Sequence, residues 1–152
     1  MSVFKACDIR GIAEKDLTDD VVTQIAKAVG VKLSGKRIVV GHDIRLSSPR
    51  LKEIAVRELA ASGCEVVDIG TVATPMFYYA AKHCNATGGV MITASHNPAP
   101  YNGFKLLLGD QPIREADILA IKDLYEKKSE IRKNGSIEKF DIIDTYIADM
   151  AK

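Results

Sequence analysis

Apolar and polar positions alternate along the chain so as to divide it into short buried-strand patterns and longer amphipathic segments. Val22, Ile25, Ala26, Val29 and Leu33 fall on one face at helical spacing. Thr18 ahead of Asp19 and Asp20 starts that helix well, because carboxylates favour the positive end of the helix dipole. Arg37 to Gly41 reads as a buried strand. Ser48 followed by Pro49 fits an N-cap with proline at the first helical position. The helix it opens has Leu51, Ile54, Ala55 and Leu59 as its apolar face and Gly63 as its terminator. Cys64 to Ile69 is a second strand, and Thr74-Pro75 opens a helix reaching Cys84. Gly89 to Thr93 and Phe104 to Leu108 are two further strands, and helices are expected near Ala116 to Lys128 and Ile142 to Ala151.

Strand and helix alternate, which predicts an α/β fold: a three-layer α/β/α sandwich with a mixed, mostly parallel sheet. Only Ser95 to Gly103 separates the last two strands, too short a stretch for a helical crossover. The final strand is therefore expected to pair antiparallel, across a turn, at one edge of the sheet. No repeat or linker divides the chain, so residues 1–152 are expected to form one domain.

Composition narrows the function classes. Apolar residues make up 47% and charged residues 27%, with a formal net charge of +1. That balance shows no nucleic-acid footprint and no anionic-membrane footprint. No apolar run has spanning length and the start lacks signal-peptide regions, which makes the cytoplasm the expected compartment. Cys7, Cys64 and Cys84 are widely spaced, with no CxxC pair, and are expected to be reduced thiols packed as small hydrophobes.

The chemistry gathers around Ser95. Thr93-Ala94-Ser95-His96-Asn97-Pro98 follows directly on an apolar strand, so Ser95 sits beyond the carboxyl end, where open α/β sheets bind ligands. Ser, His and Asn are also common turn residues, and on local chemistry a plain turn explains them equally well. The return strand brings Phe104 and Lys105 back beside the end of the serine strand. An amine there can stabilise a phosphorylated side chain or exchange protons with a sugar hydroxyl. Two loops carry further charge: Phe4 to Gly11, containing Arg10, and Gly41 to Ser48, containing His42, Asp43 and Arg45.

Together these segments resemble the α-D-phosphohexomutases, the phosphomannomutase/phosphoglucomutase family. FKACDIRG is similar to that family's "YDIRG" start, GHDIRLSS to its "GxDxRxSS" segment, and TASHNPAPYNGFK to its active-site serine loop. The resemblance runs from Phe4 to Lys105. It implies an isomerase that is also an intramolecular phosphotransferase. A phosphoserine at Ser95 would donate its phosphoryl group to a hexose phosphate, and the bisphosphorylated sugar would turn over and return its other phosphate. The net result would interconvert hexose 1- and 6-phosphates, by positioning and charge neutralisation. The resemblance also implies Mg²⁺ on the Ser95 phosphate, with Arg10 and Lys105 as acid/base or electrostatic groups. His96 would help hold substrate or the serine loop, and Asn97 would shape that loop. Asp43 and Arg45 are expected to position neighbouring backbone rather than touch substrate.

Cys7 stands where many members carry tyrosine, so a substrate contact by that ring is not expected. No DGDGDR-like carboxylate loop, GEMSGH-like sugar selector or carboxyl-terminal phosphate loop is present. The expected partners are therefore a hexose phosphate and the remaining mutase domains, with residues 1–152 inactive alone. A free-standing sugar-phosphate-binding or interaction module is the alternative. A serine hydrolase or nucleotide-binding domain finds no GxSxG, GxGxxG or GxxxxGK[ST] motif to support it.

Overall fold

The computed structural model describes residues 2–152. Its elements follow in the order β1 (Ile9–Ile12), α1 (Asp19–Leu33), β2 (Arg37–His42), α2 (Ser48–Ala61), β3 (Glu65–Thr71) and α3 (Thr74–His83). Then come β4 (Gly88–Ile92), β5 (Tyr101–Leu108), β6 (Gln111–Pro112), α4 (Glu115–Glu126), β7 (Ser136–Lys139) and α5 (Ile143–Met150). The strands form one mixed sheet in the order β1-β5-β4-β2-β3-β7, with β6 paired to β5.

Strand side chains alternate between the two faces. Ile38, Val40, Val66, Val90, Ile92, Phe104 and Leu106 meet α1, α2 and α4 in one buried cluster. Val39, Val67, Ile69, Met91 and Leu107 meet Phe77, Ala80 and Ala81 of α3, with Ile142 ahead of α5, in the other. The three-layer α/β/α sandwich is as expected. Thr18 caps α1 by accepting the Val21 N–H at 3.3 Å, and Gly63 follows α2 at a φ of +93°.

Three details differ from the sequence reading. β5 is antiparallel to β4, as the short connection requires, but it is not the outermost strand. β1 lies outside it and pairs with it antiparallel, Ile9 opposite Phe104, so the one reversed strand sits one place in from the edge. β1 and β7 were not expected as strands: Arg10-Gly11 reads as a loop, and all four residues of β7 are exposed. Finally, the Ser48 and Thr74 caps are displaced by one residue, to Ser47 and Ala73. Ser48 spends its hydroxyl on Asp43 instead, at 2.5 Å.

This topology sets out the edge that matters. β2, β3 and β4 run parallel, so His42, Thr71 and Ile92 end at the same side of the sheet. The β2–α2 loop and the β4–β5 loop therefore meet there.

Candidate active site at the β4–β5 turn

Ser95 occupies the left-handed region at a φ of +56°, a conformation that non-glycine residues adopt only when neighbours hold them there. Those neighbours are identifiable. The Ser95 N–H donates to Thr93 Oγ1 at 3.0 Å, and Thr93 is itself anchored by its N–H to the Gly103 carbonyl at 3.0 Å. The Ser95 carbonyl accepts from Arg45 Nη2 at 3.1 Å. With both backbone groups engaged, the side chain stands in solvent.

Arg45 organises the whole turn. Its Nη1 donates to the carbonyls of Pro98 at 2.8 Å and Tyr101 at 3.0 Å, and its Nη2 also reaches Asn97 O at 2.7 Å. Its Nε faces Asp43 Oδ2 at 3.3 Å, and Asp43 Oδ1 accepts from the Arg45 N–H at 3.0 Å. The planar fork of arginine suits this role, because it presents several donors in one fixed plane. The expectation that Asp43 and Arg45 position backbone agrees with these contacts.

Asn102 and Gly103 complete the brace, and the sequence reading gave them no role beyond starting the return strand. Asn102 is fully buried; its Nδ2 donates to Ser47 Oγ at 2.8 Å and Ser48 Oγ at 2.9 Å. A Cβ on Gly103 would lie 2.0 Å from the Ile9 carbonyl oxygen, so glycine alone lets β1 lie against β5 there. The signal available in the sequence was the Asn-Gly pair at the head of the strand.

The two expected cations, Arg10 and Lys105, take different surroundings. Arg10, opposite Gly103 in register, donates from Nη1 to Asn97 Oδ1 at 3.0 Å and lies 3.8 Å from Asp8. It lines a recess of about 260 Å³ with Lys5, Asn97 and Tyr101, whereas Ser95 lines a separate cavity of about 710 Å³ with Asp43, Arg45 and Asn97. Ile12 and Asn97 line both. Lys105 pairs in register with Met91, on the same sheet face as Arg10. Among the described residues it makes no side-chain hydrogen bond or ion pair, and neither does the exposed His96.

The described residues bring no three His, Cys, Asp or Glu side chains together as a metal site. The Asp43 carboxylate is already occupied by Arg45 and Ser48. Titration shifts lie away from the turn. Burial pulls Lys52 down, but hydrogen bonds to Asp68 and Glu53 outweigh it and raise it overall. Burial pushes the Cys64 thiol up to about 11, which keeps it an inert, protonated core group. No helix among the described residues is long and apolar enough to cross a membrane.

The structure defines a layered α/β domain that presents a braced serine at the end of a parallel strand, and comparison with known proteins assigns its family. The family model "Phosphoglucomutase/phosphomannomutase, alpha/beta/alpha domain I" matches residues 1–132. A phosphoglucomutase of Neisseria gonorrhoeae is 44% identical over 149 residues, covering 95% of this chain and 32% of the relative. A phosphomannomutase/phosphoglucomutase of Pseudomonas aeruginosa is 38% identical over 148 residues, covering 95% of this chain and 32% of that protein. The crystal structure of a phosphoglucomutase/phosphomannomutase family protein from Burkholderia thailandensis superposes with a TM-score of 0.87 at 35% identity. The match covers 95% of this chain and 34% of that one. The chain belongs to the phosphoglucomutase/phosphomannomutase family, as its α/β/α domain I. It spans about a third of the length of the curated relatives it matches.

Proposed function

We propose that, in the full-length protein, Ser95 carries the phosphate that a mutase passes to a hexose monophosphate. The oxygen–phosphorus bond at Ser95 breaks as a sugar hydroxyl oxygen bonds to phosphorus, and the proton that hydroxyl gives up ends on the freed Ser95 Oγ. The resulting bisphosphate returns its other phosphate to Ser95, so the net change is between hexose 1- and 6-phosphates. The observation that carries this reading is the geometry of Ser95 itself. Its backbone is locked by Thr93 and Arg45 while its hydroxyl faces open solvent at the ligand edge of the sheet.

A phosphoserine adds about −1.5 to −2 charges near neutral pH, and these need cations. The Arg45 guanidinium is committed to the turn's carbonyls and Arg10 to Asn97 and Asp8. Lys105 is the cation left to offset charge on the transferring oxygens, while His96 and Asn97 border the incoming sugar. The Mg²⁺ that offsets phosphate charge in this reading takes its remaining ligands from outside this chain, as does the choice of sugar. Residues 1–152 alone are accordingly inactive.

The test is an intact mass of the full-length protein from its native cells, with peptide mapping of the Ser95 loop. A gain of about 80 Da at Ser95, absent together with turnover in Ser95→Ala, is the expected result. Undiminished mutase turnover by Ser95→Ala would overturn it. An unphosphorylated Ser95 in cells would point to a sugar-phosphate-binding module instead.

A further inference from the structure

Asn102 is a fully buried amide with both of its ends engaged. The Gly103 N–H donates to its Oδ1 at 2.9 Å, which turns Nδ2 toward Ser47 and Ser48. Ser48 is equally buried, and its hydroxyl has one hydrogen to give. Asp43, paired with Arg45, only accepts, so that hydrogen goes to Asp43 Oδ1 and Ser48 Oγ receives its own bond from Asn102. The polarity of the series is thereby fixed: the amide donates to the hydroxyl and the hydroxyl to the carboxylate, which also accepts from the guanidinium that holds the Ser95 carbonyl. A buried polar series with every member satisfied keeps one arrangement, because each alternative leaves a group unpaired.

We infer that Asn102 and Ser48 are positioning residues for phosphoryl transfer at Ser95, acting through Asp43 on the plane of the Arg45 guanidinium. That guanidinium bonds the carbonyls of Ser95, Asn97, Pro98 and Tyr101, so a tilt of its plane moves the whole serine turn. Among the described residues Asp43 is the one carboxylate paired with Arg45, and Ser48 is the one other side chain bonded to Asp43. A misplacement of about 1 Å at a reacting group can cost on the order of 100-fold in rate. Ser47 supplies a control within the structure. It accepts from the same Asn102 amide at 2.8 Å, but its hydroxyl meets no carboxylate among the described residues. An amide that merely tied β5 to the start of α2 would use the two serines alike. The effect on transfer rests on the function proposed above; the setting of the turn does not.

Amide exchange in the full-length protein tests the relay, with turnover as a second readout. Ser48→Ala removes the middle link, Asp43→Asn breaks the next one without changing shape, and Ser47→Ala severs only the side branch. All are compared at matched native population, set from denaturation curves. The Asn97 and Tyr101 amides close the serine turn on the Ala94 and Pro98 carbonyls. They are expected to exchange about ten-fold or more faster in Ser48→Ala and Asp43→Asn, and at the parent rate in Ser47→Ala. Equal acceleration in Ser47→Ala, or none in the other two variants, would overturn the relay. The kcat of Ser48→Ala is expected to fall about ten-fold or more with KM held within about two-fold, the mark of a misplaced group rather than a lost substrate contact. An unchanged kcat beside a loosened turn would overturn the positioning role. If Ser95→Ala keeps full turnover, the phosphate-carrier reading falls and the exchange result alone decides the relay.

Discussion

Arg45 grips the Ser95 carbonyl from fifty residues upstream, with its Nη2 at 3.1 Å, and the same side chain reaches three further carbonyls of the turn and the Asp43 carboxylate. Beyond the local bond to Thr93, the candidate nucleophile is held by one side chain from another loop.

Replacing Arg45 by lysine therefore removes the fork while keeping the charge. Arg45→Lys is expected to destabilise the domain by about 2–4 kcal/mol, since most of those acceptors lose their donor. Urea denaturation measures this, and a loss below the error of the method would show that water replaces the guanidinium freely.

Gly103→Ala is a test of sterics. Its new methyl group would meet the Ile9 carbonyl at 2.0 Å, a distance that only displacement of β1 relieves. The expected cost is about 3 kcal/mol or more. Hydrogen exchange of the β1 amides should rise further than that of β4, and the contact of Arg10 with Asn97 should be lost with it.

Ser95→Gly should behave in the opposite way. Glycine adopts a φ of +56° without strain, so the variant is expected to gain about 0.5–1 kcal/mol in stability while losing any capacity to hold phosphate. Thermal unfolding and phosphate content, measured together, check both halves.

The attachment of α5 to α3 carries a pH signature. Tyr79 stacks on His83 and edge-on against Tyr146, and its hydroxyl donates to Asp149. That bond, with some burial, pushes the Tyr79 phenol up to about 12. The same bond, followed by Lys152, lowers the Asp149 carboxyl. A raised tyrosine contributes stability that is complete below its unfolded value of 10.0 and is lost as pH rises toward 12. A lowered carboxyl contributes stability present above its unfolded value of 3.8 and lost as pH falls through its folded one. Amide protection in α5, corrected for the intrinsic pH dependence of exchange, should thus be greatest between those limits and flatten against pH in Tyr79→Phe. An unchanged profile in that variant would refute the assignment.

What the sequence disclosed divides along the range of the interactions. The buried face of α1 and its Thr18 cap are set by residues within a turn or two of each other, and they emerge as expected. The antiparallel return of β5 was legible for a similar reason, since a short connection leaves no other geometry. β1 and β7 escaped because pairing with β5 and β3, remote in sequence, is what makes them strands. At the turn, the position of Ser95 beyond the end of a strand was legible, as was the bracing role of Arg45 with Asp43. The placement of Arg10 in a different recess from Ser95 was not, because it depends on how Ile12 and Asn97, distant in sequence, come together between them.

The position of β1 has a further consequence, for the order in which the domain comes into being. Apart from a local bridge to Phe4, Ile9 pairs with Phe104, so β1 cannot join the sheet until β5, far downstream, has been synthesised. Such distant pairing is slow to form and leaves an early segment unpaired while translation proceeds. Arg10 travels on that strand, and its contact with Asn97 is therefore among the last to close. The serine turn can be braced by Arg45 before this happens, which makes the docking of β1 the step that finishes the site.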